Sequence, residues 1–334
     1  MITSPKQRIS DYRERGWWGD DTLHGLLASN AKQYPDTLAV ADQPNRLDLT
    51  GDEPCRLSFT ELDVASDQLA CQLLDRGIST GDRVIVQLPN IVELVVCYMA
   101  FSKIGAIISP VPVQYGSHEL EHISATISPV AIVTLNRFGA LELAKTAESI
   151  TNGSVQLLVF GTDLNITSTL DPEKCLQVRN HQDRYSTGAD HILTISWTSG
   201  TTGTPKGVPR SHNMWVATAR CCAEAGNYKQ GDRFLNIFPL VNMASIGGFL
   251  YPALLLGCSI ILHHPLDPGL YLTQLQNEKI TFTIAPPMLL NQLAKSQDMW
   301  NQFDFSHLRS IGSGSAPLAP WMIETFRQQY GLEV

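Results

Sequence analysis

Charge of either sign is scarce in this sequence of 334 residues: Asp, Glu, Lys and Arg together make up 17% of it. That fraction excludes a charged coiled coil, and 43% hydrophobic residues exclude a disordered chain. No run of Lys or Arg occurs, and 24 basic against 32 acidic residues leave a formal charge of −8. A nucleic-acid binder carries a basic footprint, so nucleic acid is not an expected partner. Phosphate ligands stay open, because a local nest of backbone N–H groups binds anions whatever the net charge. No C-x-x-C occurs among the seven cysteines, Cys55, Cys71, Cys97, Cys175, Cys221, Cys222 and Cys258. An odd, scattered set suits free thiols in a reducing compartment better than a disulfide framework. Met1 to Arg8 lacks the apolar core of a leader peptide, so a cytoplasmic protein is expected. The longest uncharged stretch, Val241 to Leu262, is broken by Gly247, Gly248, Pro252 and Gly257. It reads as a buried helix followed by a strand, with no membrane span.

What is present is a repeated alternation of short β-rich runs and helical stretches, the pattern of an α/β fold. Arg83–Leu88 reads as a strand, followed by Asn90 as helix N-cap with Glu93 as its capping-box partner. That helix should run to about Lys103, stop at Gly105, and lead into a strand over 106–110. Such β-α-β units imply parallel strands and right-handed crossovers. Further strands are predicted near 130–135, 155–160, 192–196, 234–238, 258–262, 280–284 and 308–311. Helices are predicted around 117–127, 140–150 and 321–330. Residues 161–190 are polar and read as a long surface connection with one short element. His263 and His264 read as the solvated end of a strand. The first twenty residues, with Tyr12, Trp17 and Trp18, read as an arm packed on the body.

The most informative segment is Thr198-Ser199-Gly200-Thr201-Thr202-Gly203-Thr204-Pro205-Lys206-Gly207, at the end of a predicted strand. Glycine lets the backbone turn its N–H groups inward, hydroxyls add donors without bulk, and Lys206 supplies positive charge. Together these can surround phosphate oxygens. The segment is not a Walker A loop, since Lys206 follows Pro205 where that motif needs Gly-Lys-Ser/Thr.

This segment resembles the phosphate loop of the AMP-forming adenylate ligases, which include acyl-CoA synthetases, aryl-acid ligases and adenylation domains. Four further stretches agree in order: Leu57-Ser58-Phe59-Thr60-Glu61-Leu62, Gly81–Val84 with Leu88-Pro89-Asn90, Lys103-Ile104-Gly105-Ala106, and Gly312-Ser313-Gly314-Ser315-Ala316-Pro317-Leu318. The resemblance implies the large N-terminal domain of that fold, two β-sheets flanked by helices in layers. It also implies an arm over 1–20 and an incomplete AMP-binding domain over 21–334. Within that domain, 76–211 would form one sheet unit and 21–75 plus 212–334 the other. The family's later β-barrel part and mobile C-terminal domain would lie beyond residue 334, with the Mg²⁺-binding Glu and adenylation Lys, so no catalytic residue is assignable here.

The implied reaction takes a carboxylic acid and ATP to acyl-AMP and pyrophosphate, then passes the acyl group to coenzyme A. Thr198, Ser199, Gly200, Thr201, Thr202, Gly203, Thr204 and Lys206 would hold the β- and γ-phosphates, with Thr201 also a Mg²⁺ ligand. Asn242, Met243, Ile246, Gly247, Gly314, Ser315, Ala316 and Pro317 would border the acid and adenine pockets. Asn242 falls where amino-acid-activating relatives place an Asp, and an amide cannot neutralise an ammonium, so an amino acid is not the expected substrate. Val241 replaces the histidine that many acyl-CoA ligases carry. Asn242 reads equally as a helix N-cap.

Other readings stay open at this level. One is an aryl-acid AMP ligase loading a carrier protein; another is a non-catalytic nucleotide- or acyl-binding protein. His118-Glu119-Leu120-Glu121-His122 satisfies the H-E-x-x-H pattern of a zinc metalloprotease. For the 334 residues alone, the expectation is no acyl-AMP formation, and self-association through an unpaired sheet edge as a homo-oligomer.

Overall fold

Short runs rich in Val, Ile and Leu pair as strands in the computed structural model, which describes residues 1–151, 153, 155–169, 171–185, 187–198, 205–295, 297–314 and 316–334. The strands are Leu38–Ala41 (β1), Arg56–Ser58 (β2), Arg83–Gln87 (β3), Ile107–Pro110 (β4), Ala131–Thr134 (β5) and Gln156–Val159 (β6). Ile192–Thr198 (β7), Lys206–Ser211 (β8), Arg233–Asn236 (β9), Ser259–Leu262 (β10), Phe282–Ala285 (β11) and Ser310–Ser313 (β12) complete the set. They form two sheets of six strands, ordered β12-β11-β9-β10-β1-β2 and β6-β5-β3-β4-β7-β8. Each sheet is parallel except for one antiparallel edge pair, β1–β2 in the first and β7–β8 in the second. Helices flank both, giving an α/β fold of two mixed sheets. Pro209 sits in β8, where the missing N–H is tolerated because β8 is an edge strand.

The helix Val92–Ile104 is apolar all round and every one of its residues is buried. It touches β1 of one sheet and β4 of the other, so it forms the shared layer between them. Its two charged residues are paired. Glu93 meets the buried Arg46, which also holds Asp42. Lys103 Nζ lies 2.7 Å from Asp63 and 2.6 Å from Asp67. The helix stops at Gly105, whose φ of +70° is the left-handed conformation glycine adopts freely. Among the described residues no helix is long and apolar enough to cross a membrane, and all seven cysteines are free thiols.

Three sequence expectations need correction. Asn90 does not cap the following helix, which begins at Val92 after Ile91 and has no side-chain cap; its carboxamide faces the other sheet instead. Residues 161–190 hold a full helix, Pro172–Arg184, capped by the Asp171 side chain on the amides of Glu173 and Lys174. Only Val178 of that helix is buried, so it packs on the helices Phe59–Asp75 and Val92–Ile104 without an apolar stripe. His263 and His264 are buried, not solvated. His263 Nδ1 donates to Gln274 Oε1 at 2.6 Å while its Nε2 accepts from Asp267 N, and His264 stacks on Phe138.

The arm does pack on the body. Arg13 of the helix Lys6–Glu14 pairs with Asp190 at 3.0 Å, Trp18 is buried, and Gly19 exchanges two hydrogen bonds with Asn213.

Candidate functional site

Among the described residues, the antiparallel register of β7 and β8 ends with Thr198 opposite Lys206. The Gly/Thr segment joins these two paired strands in sequence, at the carboxyl end of β7, where open α/β sheets bind ligands. Thr198 and Lys206 are both exposed. Ser199, Gly200, Thr201, Thr202, Gly203 and Thr204 lie outside the described residues, as does Ser315.

Both stems of the hairpin are anchored. On the incoming stem, Trp197 Nε1 donates to Ser109 Oγ of β4 at 2.8 Å. Its indole lies over Gly207, the residue opposite it in the register. A Cβ at 207 would stand 2.9 Å from Ile195 Cγ2 and 3.2 Å from the Trp197 ring, so this close approach requires glycine. On the outgoing stem, His122 Nε2 lies 3.0 Å from the Pro205 carbonyl oxygen and donates to it as the Nε2–H tautomer. The His122 ring stands edge-on to Trp197, with centroids 6.4 Å apart.

These contacts overturn the zinc reading of H-E-x-x-H. The Glu119 carboxylate accepts the Gly116 amide at 2.9 Å as a cap of the helix Ser117–Ile127, His122 is engaged with Pro205, and His118 is exposed. Among the described residues no three His, Cys, Asp or Glu side chains are grouped to hold a metal.

The turn that follows β9 carries the predicted acid-pocket residues. Asn242 is the N-cap of a short turn of helix, its Oδ1 accepting Ser245 N at 2.9 Å. Met243 points outward, 51% exposed. Ile246 is fully enclosed in the core, and Gly247 is buried where a Cβ would stand 2.7 Å from Thr218 Cγ2. Ile246–Leu250 form a π-helical turn, a local irregularity frequent at functional sites. Gly314 follows β12 and lies beside Phe238, while Ala316 and Pro317 are exposed.

Three side chains that the sequence reading did not place in this region connect its parts. Arg210, on the strand leaving the hairpin, reaches Met243 Sδ at 2.7 Å and lies 5.0 Å over the Trp215 ring. Burial lowers its pKa, and among the described residues no carboxylate pairs with it. Asn90 joins the sheets: its Nδ2 donates to Phe238 O at 2.9 Å and His263 O at 3.2 Å, and its Oδ1 accepts Leu240 N at 2.7 Å. His122 is the third. Arg210 thus ties β8 to the turn after β9, Asn90 ties the turn after β3 to that same turn, and Gly314 after β12 lies beside its Phe238. A cavity of about 360 Å³, lined by Phe282, Arg309, Ser310 and Glu333 among others, lies at the amino ends of β11 and β12, away from these contacts.

A sequence model of the AMP-binding enzyme family matches residues 27–334. The chain belongs to the AMP-binding enzyme family. It is 28% identical over 333 residues to the salicyl-AMP ligase / salicyl-S-ArCP synthetase of Mycobacterium tuberculosis, covering 96% of this chain and 56% of that protein. It is 28% identical over 344 residues to the medium-chain fatty-acid–CoA ligase of Escherichia coli, covering 100% of this chain and 58% of that protein. The apo structure of Mycobacterium smegmatis MbtA superposes with a TM-score of 0.74 at 25% identity, over 98% of this chain and 58% of that one. The chain therefore spans a little more than half the length of these relatives. Their acids differ, so membership of this ligase family leaves the acid open.

Proposed function

We propose that this chain forms the phosphate- and acid-binding part of an AMP-forming ligase joining a carboxylic acid to coenzyme A. The observation that supports this reading is the β7–β8 pairing, which brings Thr198 and Lys206, the residues flanking the Gly/Thr segment, opposite each other; farther along β8, Arg210 touches Met243 of the turn after β9. MgATP enters as substrate. A carboxylate oxygen of the acid attacks the α-phosphorus, an O–P bond forms, and the bond to pyrophosphate breaks. The thiol of coenzyme A then attacks the acyl carbonyl and AMP leaves.

In this reading the chain acts by positioning and by neutralising phosphate charge. Thr198 to Thr204 and Lys206 hold the β- and γ-phosphates, and Thr201 contacts the Mg²⁺. Asn242, Met243 and the residues Gly314 to Pro317 border the acid and the adenine. The side-chain Oδ1 of Asn242 already accepts the Ser245 amide, which supports an acid without an α-ammonium group. The salicyl-S-ArCP synthetase relative supports a second reading, in which a carrier-protein thiol takes the acyl group.

Calorimetric titration of the 334-residue chain with MgATP tests the nucleotide reading. Saturable binding that weakens at least tenfold in Lys206→Ala, at unchanged melting temperature, is the expected result; an unaffected Lys206→Ala overturns it. Pyrophosphate exchange by the longer polypeptide carrying this sequence, across aliphatic, alicyclic and aryl acids, then assigns the acid.

A further inference from the structure

We infer that His122 is a positioning residue that clamps the outgoing arm of the phosphate hairpin to the helix Ser117–Ile127. This rests on the reading of residues 198–206 as a nucleotide site. Pro205 precedes the closing pair Thr198–Lys206, so its carbonyl lies outside the β7–β8 ladder. Lacking an N–H, Pro205 offers the hairpin base an acceptor alone. His122 Nε2 meets that acceptor at 3.0 Å from an element 83 residues earlier in the chain.

The His122 ring is itself held. Trp197 stands against it edge-on, Trp197 is tied to Ser109, and the same indole covers Gly207. The contacts close a circuit: incoming stem, Trp197, His122, outgoing stem. The segment between the stems carries Gly200 and Gly203, residues that lose the most conformational freedom on ordering. Fixing both stems beforehand lowers the entropy that ligand binding must offset. His122 thus acts on affinity through the loop and touches no phosphate. It also gives the second histidine of H-E-x-x-H a physical reason to be there.

Two variants separate donor from ring. His122→Phe keeps an aromatic face for Trp197 and removes the N–H; His122→Gln keeps an N–H donor of similar reach. Trypsin cleavage at Lys206–Gly207, followed by mass spectrometry against cuts elsewhere in the full chain, reports how firmly the stem is held. His122→Phe should raise cutting at that bond roughly three- to tenfold, the worth of one neutral hydrogen bond, and weaken MgATP binding by a similar factor. Cuts elsewhere should stay at the wild-type rate, and His122→Gln should restore both readouts to within about twofold. Unchanged cutting after Lys206 in His122→Phe, or a rise shared by all sites, overturns the clamp. If Lys206→Ala retains full MgATP affinity, the nucleotide reading fails, while the proteolysis still decides whether His122 holds the stem.

Discussion

The side chain of Asn90 accepts the backbone amide of Leu240 at 2.7 Å, joining the turn after β3 in one sheet to the turn after β9 in the other. Its Nδ2 serves two more carbonyls of that second sheet, Phe238 and His263. One buried carboxamide therefore ties the two turns together.

Replacing Asn90 with Ala strands two buried backbone groups, Leu240 N and His263 O, while Phe238 O keeps its bond from Ser245 Oγ. Because an orphaned buried polar group costs roughly 1–3 kcal/mol, a loss of about 3 kcal/mol is expected. Asn90→Asp should be no better, since a carboxylate would face two carbonyl oxygens. Urea denaturation followed by far-UV circular dichroism measures both, and a loss under about 1 kcal/mol for Asn90→Ala would contradict the bridging role.

At Gly207 the prediction concerns geometry. A valine there cannot keep the Trp197 ring where it is, because even the Cβ stands 3.2 Å from it. Gly207→Val should displace the indole, break its bond to Ser109, and destabilise the chain by about 1–3 kcal/mol, as overpacking does. Trp197→Phe provides the fluorescence baseline. An emission spectrum of Gly207→Val identical to wild type, after that subtraction, would show the ring unmoved.

Lys103 is 6% exposed between two partly exposed carboxylates, Asp63 and Asp67. Lys103→Met preserves the length of the stem and leaves the two acids facing each other without a cation. Removing one partner of such a buried cluster costs about 3–5 kcal/mol. The triple variant Lys103→Met, Asp63→Asn, Asp67→Asn should recover most of it, and failure of that rescue in thermal melts would place the cost elsewhere.

Acid should loosen the protein through its buried histidines. Burial lowers His24 and His264 to about 4 and His212 to about 3, from the ordinary 6.5. Below about 6.5 the unfolded chain takes up protons that the folded chain refuses, so stability falls with pH down to about 3–4 and is insensitive to these groups above about 7. By pH 5 a fully buried histidine such as His212 contributes about 2 kcal/mol of that loss. Asp42 and Glu93, raised by burial, oppose part of it at the acid end. Melting temperatures at pH 7.5, 6 and 5 should descend in that order, less steeply in His264→Phe. Equal melting temperatures would refute the assignment.

Much of the architecture was legible because apolar period and glycine punctuation act locally. The helix Ser117–Ile127 lies where its pattern predicts, and Gly105 ends the preceding helix through its left-handed backbone. The helix Pro172–Arg184 was hidden because it buries only Val178; its start signal, Asp171 before Pro172, was present but unused. Asn90 misled for a different reason. The donor and acceptor that make asparagine a good cap also make it a good bridge, and only the second sheet decides between them. In the site, residue types singled out the Gly/Thr segment, whereas the contacts of the strands that flank it join residues 83 and 88 positions apart and so depended on the assembled sheet. Asn242 was readable in part: its capping role is confirmed.

The edge position of β8 has a bearing on how this protein survives at high concentration. As an edge strand, β8 offers unpaired backbone groups to any neighbouring molecule. In β8 the row of donors is interrupted at Pro209, and Lys206 and Arg210 bring two positive charges to a strand of six residues. Both features discourage edge-to-edge association between copies. Pro209→Thr would complete the donor row and should make the chain more prone to ordered aggregation with little change in its fold.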